Sequence, residues 1–302
     1  MTNIDTENAI SELETTGNFK VLRKLNLEQD IRFTQKTINE PLIGLCLDTE
    51  TTGLDHATDK IIELGIVAFE YDPSTFEIIR ICGRYSGFED PGFPLSEEVT
   101  KIHGITDDMI AGKTFDDEQV NSLAKNVSLV IAHNADFDRK FVENRFPVFV
   151  SLPWACSLYQ VNWETECVKY RSLEYLLFAC CGCFFEPHRA LDDAAGVLAL
   201  LLGQLPNTKT SIFKALVESS QEILSRIWAI DSPFSTKELL KERGYRWSDG
   251  VNSSNKAWNK IVPGNLEQKE LNFLAKNVYP NGDTSSVKII RSDAFSRYSV
   301  RE

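Results

Sequence analysis

The chain has 302 residues, 42% of them hydrophobic, enough to bury a sizeable core and to form two domains. It carries 32 basic against 44 acidic residues, a formal charge of −12, and because the acidic excess lies before residue 206, tight binding of long duplex nucleic acid is not expected to originate in that part. No apolar stretch approaches the ~20 residues of a membrane span, and the polar start Met1-Thr2-Asn3-Ile4-Asp5 is unlike a signal peptide.

Residues 1–40 read as a polar lead-in with some helical periodicity, in Ile10-x2-Leu13 and Val21-Leu22-x2-Leu25. Strands are expected at 42–48, 60–71 and 76–85, followed by a Gly- and Pro-rich loop at 86–94. A helix near 116–126, a strand at 127–132 and a helix at 135–145 come next. Ser172 opens another helix, and Ala190 to Leu205 is the last helix before the turn at Pro206-Asn207. Strands preceding helices around a mixed sheet give an α/β domain over 41–205. Residues 206–302 form a smaller α+β domain: a helix at 212–227, a capped helix from Ser235 to Gly244, and a hairpin from Tyr245 to Trp258 around a polar loop.

The seven cysteines, an odd number, sit mostly in apolar segments, which points to free thiols in a reducing, cytoplasmic setting. Cys180-Cys181-x-Cys183, with Cys156 and Cys167 upstream, lacks C-x-x-C spacing, so zinc is not expected there. Charge is unevenly divided. From Pro206 onward 15 basic residues face 11 acidic ones, a balance of +4, whereas the remainder has 17 against 33, or −16.

The most informative local pattern is Asp48-Thr49-Glu50-Thr51-Thr52-Gly53, at the end of the apolar run Leu42 to Leu47. Residues two apart on a strand share a face, so the two carboxylates repel unless a cation lies between them. A hard divalent ion suits oxygen ligands. Two more acid clusters follow, His133-Asn134-Ala135-Asp136-Phe137-Asp138 after the strand at 127–132, and His188-Arg189-Ala190-Leu191-Asp192-Asp193 opening a helix.

Taken together, Asp48-x-Glu50, Asp138 in its His-Asn-Ala-x-Phe-Asp setting, and His188-x4-Asp193 resemble the three motifs of the DnaQ-like 3′→5′ exonucleases of the DEDDh group, over about residues 41–205. The resemblance implies a ribonuclease H-like three-layer fold, a mixed sheet with helices on both faces. It implies two Mg²⁺ or Mn²⁺ ions on Asp48, Glu50, Asp138 and Asp193, and His188 as general base. Such a pair of ions, about 4 Å apart, can generate the nucleophile and relieve charge on the leaving oxygen. Asp48 would bridge the ions, with Glu50 and Asp193 completing one shell and Asp138 serving mainly the other. A neutral imidazole with a pKa near 6.5 suits the base. The family pattern favours Asp138 over Asp136 and Asp193 over Asp192, while His133 reads as a turn-shaping residue and Asn134 as a helix cap.

The segment Pro94 to Thr106 extends the resemblance. By matching position Glu98 would contact a terminal 3′-hydroxyl and His103 the nucleotide, with Thr49, Glu50 and His188 also lining the substrate. The implied activity is hydrolysis of single-stranded DNA or RNA 3′ ends, or short oligonucleotides, to nucleoside 5′-monophosphates. The alternative is a catalytically weak nucleic-acid-binding or polymerase-associated proofreading module on the same fold. A homodimer is one option for the assembly. In the second domain the Gly-x-x-Trp…Lys-x-Trp run resembles small bacterial accessory domains, and Arg246, Trp247, Lys256 and Trp258 are candidate nucleic-acid contacts, the Trp pair through stacking.

Overall fold

The computed structural model describes residues 3–250 and 255–301, and the chain divides into two compact units, Met1–Ser219 and Ser220–Glu302. In the first, helix α1 (Asn3–Thr15) and the short strand β1 (Arg23–Lys24) precede β2 (Leu42–Thr51), β3 (Ile61–Tyr71) and β4 (Ile78–Phe88). Next come α2 (Glu97–His103), α3 (Asp107–Ile110), α4 (Asp117–Ala124), β5 (Val127–Ala132), α5 (Ala135–Arg145) and β6 (Trp154–Cys156). The unit ends with α6 (Leu173–Leu176), β7 (Cys183–Phe184), α7 (Ala190–Leu201) and α8 (Ile212–Ser220).

Five strands form one mixed sheet in the order β4-β3-β2-β5-β6, with β2–β3 and β3–β4 antiparallel and β2–β5 and β5–β6 parallel. The continuous apolar run of β2 places it at the centre, where both faces are covered and Leu45, Cys46 and Leu47 are wholly buried. Cys46, Val67, Phe69, Leu129 and Ile131 point to one side and pack with Ala194, Val197 and Leu198 of α7 and Phe213 and Leu216 of α8. Helix α5 lies against the other side of the sheet, near Phe149 and Trp154. This is the three-layer α/β architecture anticipated from the element order.

The polar lead-in over 1–40 is tied into the first unit, where β1 pairs in parallel with β7 and Leu27 and Phe33 are buried in the core. Two local expectations change. The helix expected over 212–227 stops at Ser220, and Leu224–Ala229 is a strand instead. Its apolar front half closes the first unit's core, while its second half alternates and pairs with two partner strands. Ser235 does not cap a helix. It lies in a 3-10 turn, Phe234–Thr236, that leads into the next helix.

The second unit runs β8 (Leu224–Ala229), α9 (Lys237–Glu242), β9 (Arg246–Trp247), β10 (Trp258–Pro263), α10 (Glu267–Asn277) and β11 (Lys288–Ser292). Its antiparallel sheet has the order β11-β8-β10-β9, the split βαβ topology of ferredoxin-like domains. The hairpin is present as the β9–β10 pair with Trp247 opposite Trp258. Residues 251–254 of its loop lie outside the described residues.

Candidate active site

Strand β2 delivers the first two carboxylates. Asp48 and Glu50 sit two residues apart near its end and therefore share a face. Asp193, in the first turn of α7, meets them, and ligand oxygens of Asp48, Glu50 and Asp193 all lie within 4.8 Å of one another. Asp138, in the first turn of α5, is buried beside them and accepts hydrogen bonds from the Thr49 amide (3.1 Å) and hydroxyl (2.9 Å). Thr49 thus points away from Asp48 and Glu50 and ties β2 to α5.

Burial, and after it the crowding of charge, raises the proton affinity of these acids. Burial, and then the charges of Asp138, Asp193, Glu50 and Glu63, hold the Asp48 carboxyl well above its ordinary value. Burial, followed by Asp193, Glu63 and Asp138, pushes Glu50 up to about 8. Burial likewise raises Asp138 to about 7, against the opposing effect of its Thr49 hydrogen bonds. Asp193 rises to about 6 through burial, offset by hydrogen bonds to its carboxylate. Four buried or half-buried carboxylates, whose proton affinity is raised first by burial and, for Asp48, Glu50 and Asp138, also by neighbouring acids of the set, form a donor set that fits a hard divalent cation, whose charge would reverse the effect.

His188 lies on the loop leading into α7. Its backbone amide and that of Arg189 donate to Asp193 Oδ2 at 2.8 and 3.1 Å, and it adopts φ 71°, a left-handed conformation uncommon outside glycine. The imidazole is exposed. His103 is buried at the end of α2; its Nδ1 accepts from the Ile105 amide (3.0 Å), while Nε2 is buried without a partner. Burial, and then nearby His188, lower its pKa. Glu98 is exposed in the first turn of α2.

The neighbouring acids separate clearly. Asp136 is exposed and pairs with Lys140 at 3.0 Å, and Asp192 is exposed on the next spoke of α7. His133 uses both ring nitrogens, towards Ser157 Oγ (2.9 Å) and the Arg171 carbonyl (2.8 Å), and so shapes the turn before α5. Asn134 occupies the N-cap position of α5 without a side-chain capping bond.

Sequence reasoning passed over two residues of β3. Glu63 is wholly buried, and its carboxylate accepts from Arg189 Nη2 (3.0 Å), Arg189 Nε and the Ala190 amide (3.3 Å). It also adds to the charge around Asp48 and Glu50. The available signal was a lone carboxylate inside the apolar run Ile61 to Val67, since a buried acid requires a partner. Gly65 pairs with Asp48 across the strands. A Cβ there would lie 2.1 Å from the Ala190 carbonyl carbon, so the backbone of α7 rests directly on β3.

The candidate contacts of the second unit do not share one surface. Trp247 and Trp258 form an edge-to-face pair at 5.6 Å, with Trp258 against the helix-side core and Trp247 about half exposed. Arg246, the neighbour of Trp247 on β9, points to the opposite face, and Lys256 is exposed just before β10.

Comparison with known proteins accords with this geometry. An exonuclease family typified by ribonuclease T matches residues 45–201. DNA polymerase III subunit epsilon of Treponema pallidum is 36% identical over 166 residues, covering 52% of this chain and 74% of that protein. A PolC-type DNA polymerase III of Thermotoga maritima is 30% identical over 174 residues, 56% of this chain but only 12% of that protein. Among solved structures, exonuclease X with 5′ overhanging duplex DNA is 26% identical with a TM-score of 0.39, covering 53% of this chain and 89% of that one. Exonuclease I of E. coli with a dT13 oligonucleotide is 16% identical with a TM-score of 0.47, covering 74% and 64%. No helix among the described residues is long and apolar enough to cross a membrane. With the family match spanning more than half of its length and all three acid motifs, the chain belongs to the exonuclease family.

Proposed function

We propose that this chain is a two-metal-ion 3′→5′ exonuclease acting on single-stranded DNA or RNA ends or short oligonucleotides. The observation that carries the reading is the meeting of Asp48, Glu50 and Asp193 within 4.8 Å, beside buried Asp138. These four residues would hold two Mg²⁺ or Mn²⁺ ions, which when bound supply positive charge to the scissile phosphate. His188, exposed and next to Asp193, takes the proton of the attacking water. Breaking the P–O3′ bond then releases a nucleoside 5′-monophosphate. His103, whose buried Nε2 has no partner, donates to the terminal nucleotide, and Thr49, Glu50 and Glu98 complete its surroundings.

The exonuclease domain is assigned to residues 41–205, with 1–40 as its N-terminal segment and 206–302 as the accessory domain. A cytoplasmic location accords with the seven free thiols. The 36% identity to a polymerase III epsilon subunit favours one second reading, a proofreading module attached to a polymerase. The test uses matched 5′-labelled DNA and RNA oligonucleotides with Mg²⁺. Degradation should start at a free 3′-hydroxyl, stop at a 3′-phosphate and ignore a 5′ block. Digestion of circular single strands at the same rate as linear ones would overturn the assignment.

A further inference from the structure

We infer that Arg189 is a further substrate-binding residue of this site, holding a non-bridging phosphate oxygen of the bound nucleotide. Directly paired residues of antiparallel strands point to the same side of a sheet. Glu50 of β2 pairs with Glu63 of β3, and Glu63 pairs with Phe88 of β4, so the three form one row that starts at the metal-binding acids. Like charges directly opposite each other are unfavourable, and Glu63 is wholly buried, so the row requires a cation. Arg189 supplies it from the loop before α7. Its Nε and Nη2 grip the Glu63 carboxylate, with Nη2 and Oε1 3.0 Å apart. The guanidinium carbon lies over Phe88, 5.5 Å from the centre of the ring.

Neutralising Glu63 does not use up this side chain. The Glu63 side chain is 1% exposed, whereas that of Arg189 is 45% exposed. Nη1 of Arg189 makes no hydrogen bond or ion pair among the described residues. The planar fork lets one group serve two anions: Nε and Nη2 face Glu63, and Nη1 is aimed away from it. The charges of Arg189 and Glu50 act on each other, which places the guanidinium beside the metal-binding carboxylates. Phe88 packs against the cluster of Ile105 and Ile110, which follows His103 in the chain. Arg189 therefore lies towards the residues proposed to hold the terminal nucleotide. Charge balance gives the ligand class. Asp48, Glu50, Asp138, Asp193 and Glu63 bring five negative charges to this end of the sheet. Two divalent ions would offset four of them and Arg189 offsets the fifth, so an incoming phosphate meets no net repulsion from the group. Asp192, whose charge also reaches Arg189, is exposed and screened by solvent. An exposed guanidinium with one edge unengaged suits the oxygens of a phosphate.

This contact rests on the exonuclease reading and deepens it. The test measures, by calorimetry with the full chain in Mg²⁺, the affinity for dTMP, the nucleotide that hydrolysis of dT20 would release. Removing Arg189 alone would leave Glu63 buried without a counter-charge and endanger the fold. Glu63→Gln/Arg189→Met removes both charges together and keeps side chains of similar size. This double variant should melt close to the wild type and keep its Mg²⁺ equivalents. It should nevertheless bind dTMP about 10- to 100-fold more weakly, the scale of a lost charge-assisted hydrogen bond, and its KM for dT20 should rise. A folded double variant that binds dTMP as tightly as the wild type would overturn the contact, leaving Arg189 only its service to Glu63. Loss of Mg²⁺ binding together with dTMP would overturn it as well. If the double variant does not fold, Arg189→Lys decides, because it keeps a cation beside Glu63 without the fork. Its dTMP affinity should fall with Mg²⁺ binding intact, and an unchanged affinity would refute the contact. If dTMP binding depends on Arg189 in this way yet the wild type hydrolyses no oligonucleotide, the phosphate contact stands and the exonuclease reading fails.

Discussion

Gly65→Ala offers a sharp test of how the site is assembled. Gly65 faces Asp48 across β2–β3, and a methyl there would lie 2.1 Å from Ala190 C and 2.2 Å from both Ala190 O and Leu191 N. An ordinary contact needs about 3.4 Å, so the start of α7 must retreat by roughly 1.3 Å. Backbone cannot swing aside as a side chain does. That segment carries His188 and Asp193, and the shift also stretches the Glu63–Arg189 contact of 3.0 Å. A displacement of about 1 Å at reacting groups costs on the order of 10²-fold in rate, while overpacking costs about 1–3 kcal/mol of stability. Gly83→Ala is the control, because its nearest neighbour at 2.5 Å is only the tip of Leu123. Single-turnover hydrolysis of a labelled oligonucleotide, with thermal melts of each variant, reads both effects. A folded Gly65→Ala enzyme within threefold of wild-type rate would refute the backbone-contact argument.

Further outcomes follow from the same geometry. Asp48→Ala, Glu50→Ala, Asp138→Ala and Asp193→Ala should each nearly abolish hydrolysis, as should EDTA, with Mg²⁺ or Mn²⁺ restoring the wild type; full activity in chelator would exclude the two-metal account. His188→Ala should lower kcat by roughly 10²–10⁴-fold with metal binding retained, and loss of a metal equivalent in calorimetry would contradict its role as base. Glu50, Asp138 and Asp193 have folded-state pKa values raised to about 8, 7 and 6. A carboxyl raised on folding contributes stability below its unfolded pKa and loses it as pH climbs through the folded value. The metal-free protein should thus lose stability between about pH 5 and 8.5, and the rise in Tm on adding Mg²⁺ should grow over that interval. A metal-induced rise in Tm that is the same at both ends would count against this coupling.

Much of the architecture was legible in the chain itself because strands and helices write short periods into sequence. The run Leu42 to Leu47 marked the central strand, 127–132 matched β5, and 135–145 matched α5. The acids stood out because paired carboxylates after a buried strand are costly without a purpose, and the structure brings Asp48, Glu50 and Asp193 together from positions up to 145 residues apart. Other features have no local signature. The apolar pattern of 212–227 is shared by a helix and a strand, and only the available partners, the core around Phe213 and the strands beside Leu224–Ala229, divide it. Arg246 and Trp247 look like one patch in sequence, but strand geometry sends them to opposite faces. Glu63 and Gly65 acquire meaning only where β3 meets Arg189 and Ala190, some 125 residues later. Periodicity and residue chemistry are local properties that a sequence carries openly, whereas which buried charge finds a counter-ion and which backbones touch are decided when distant segments pack.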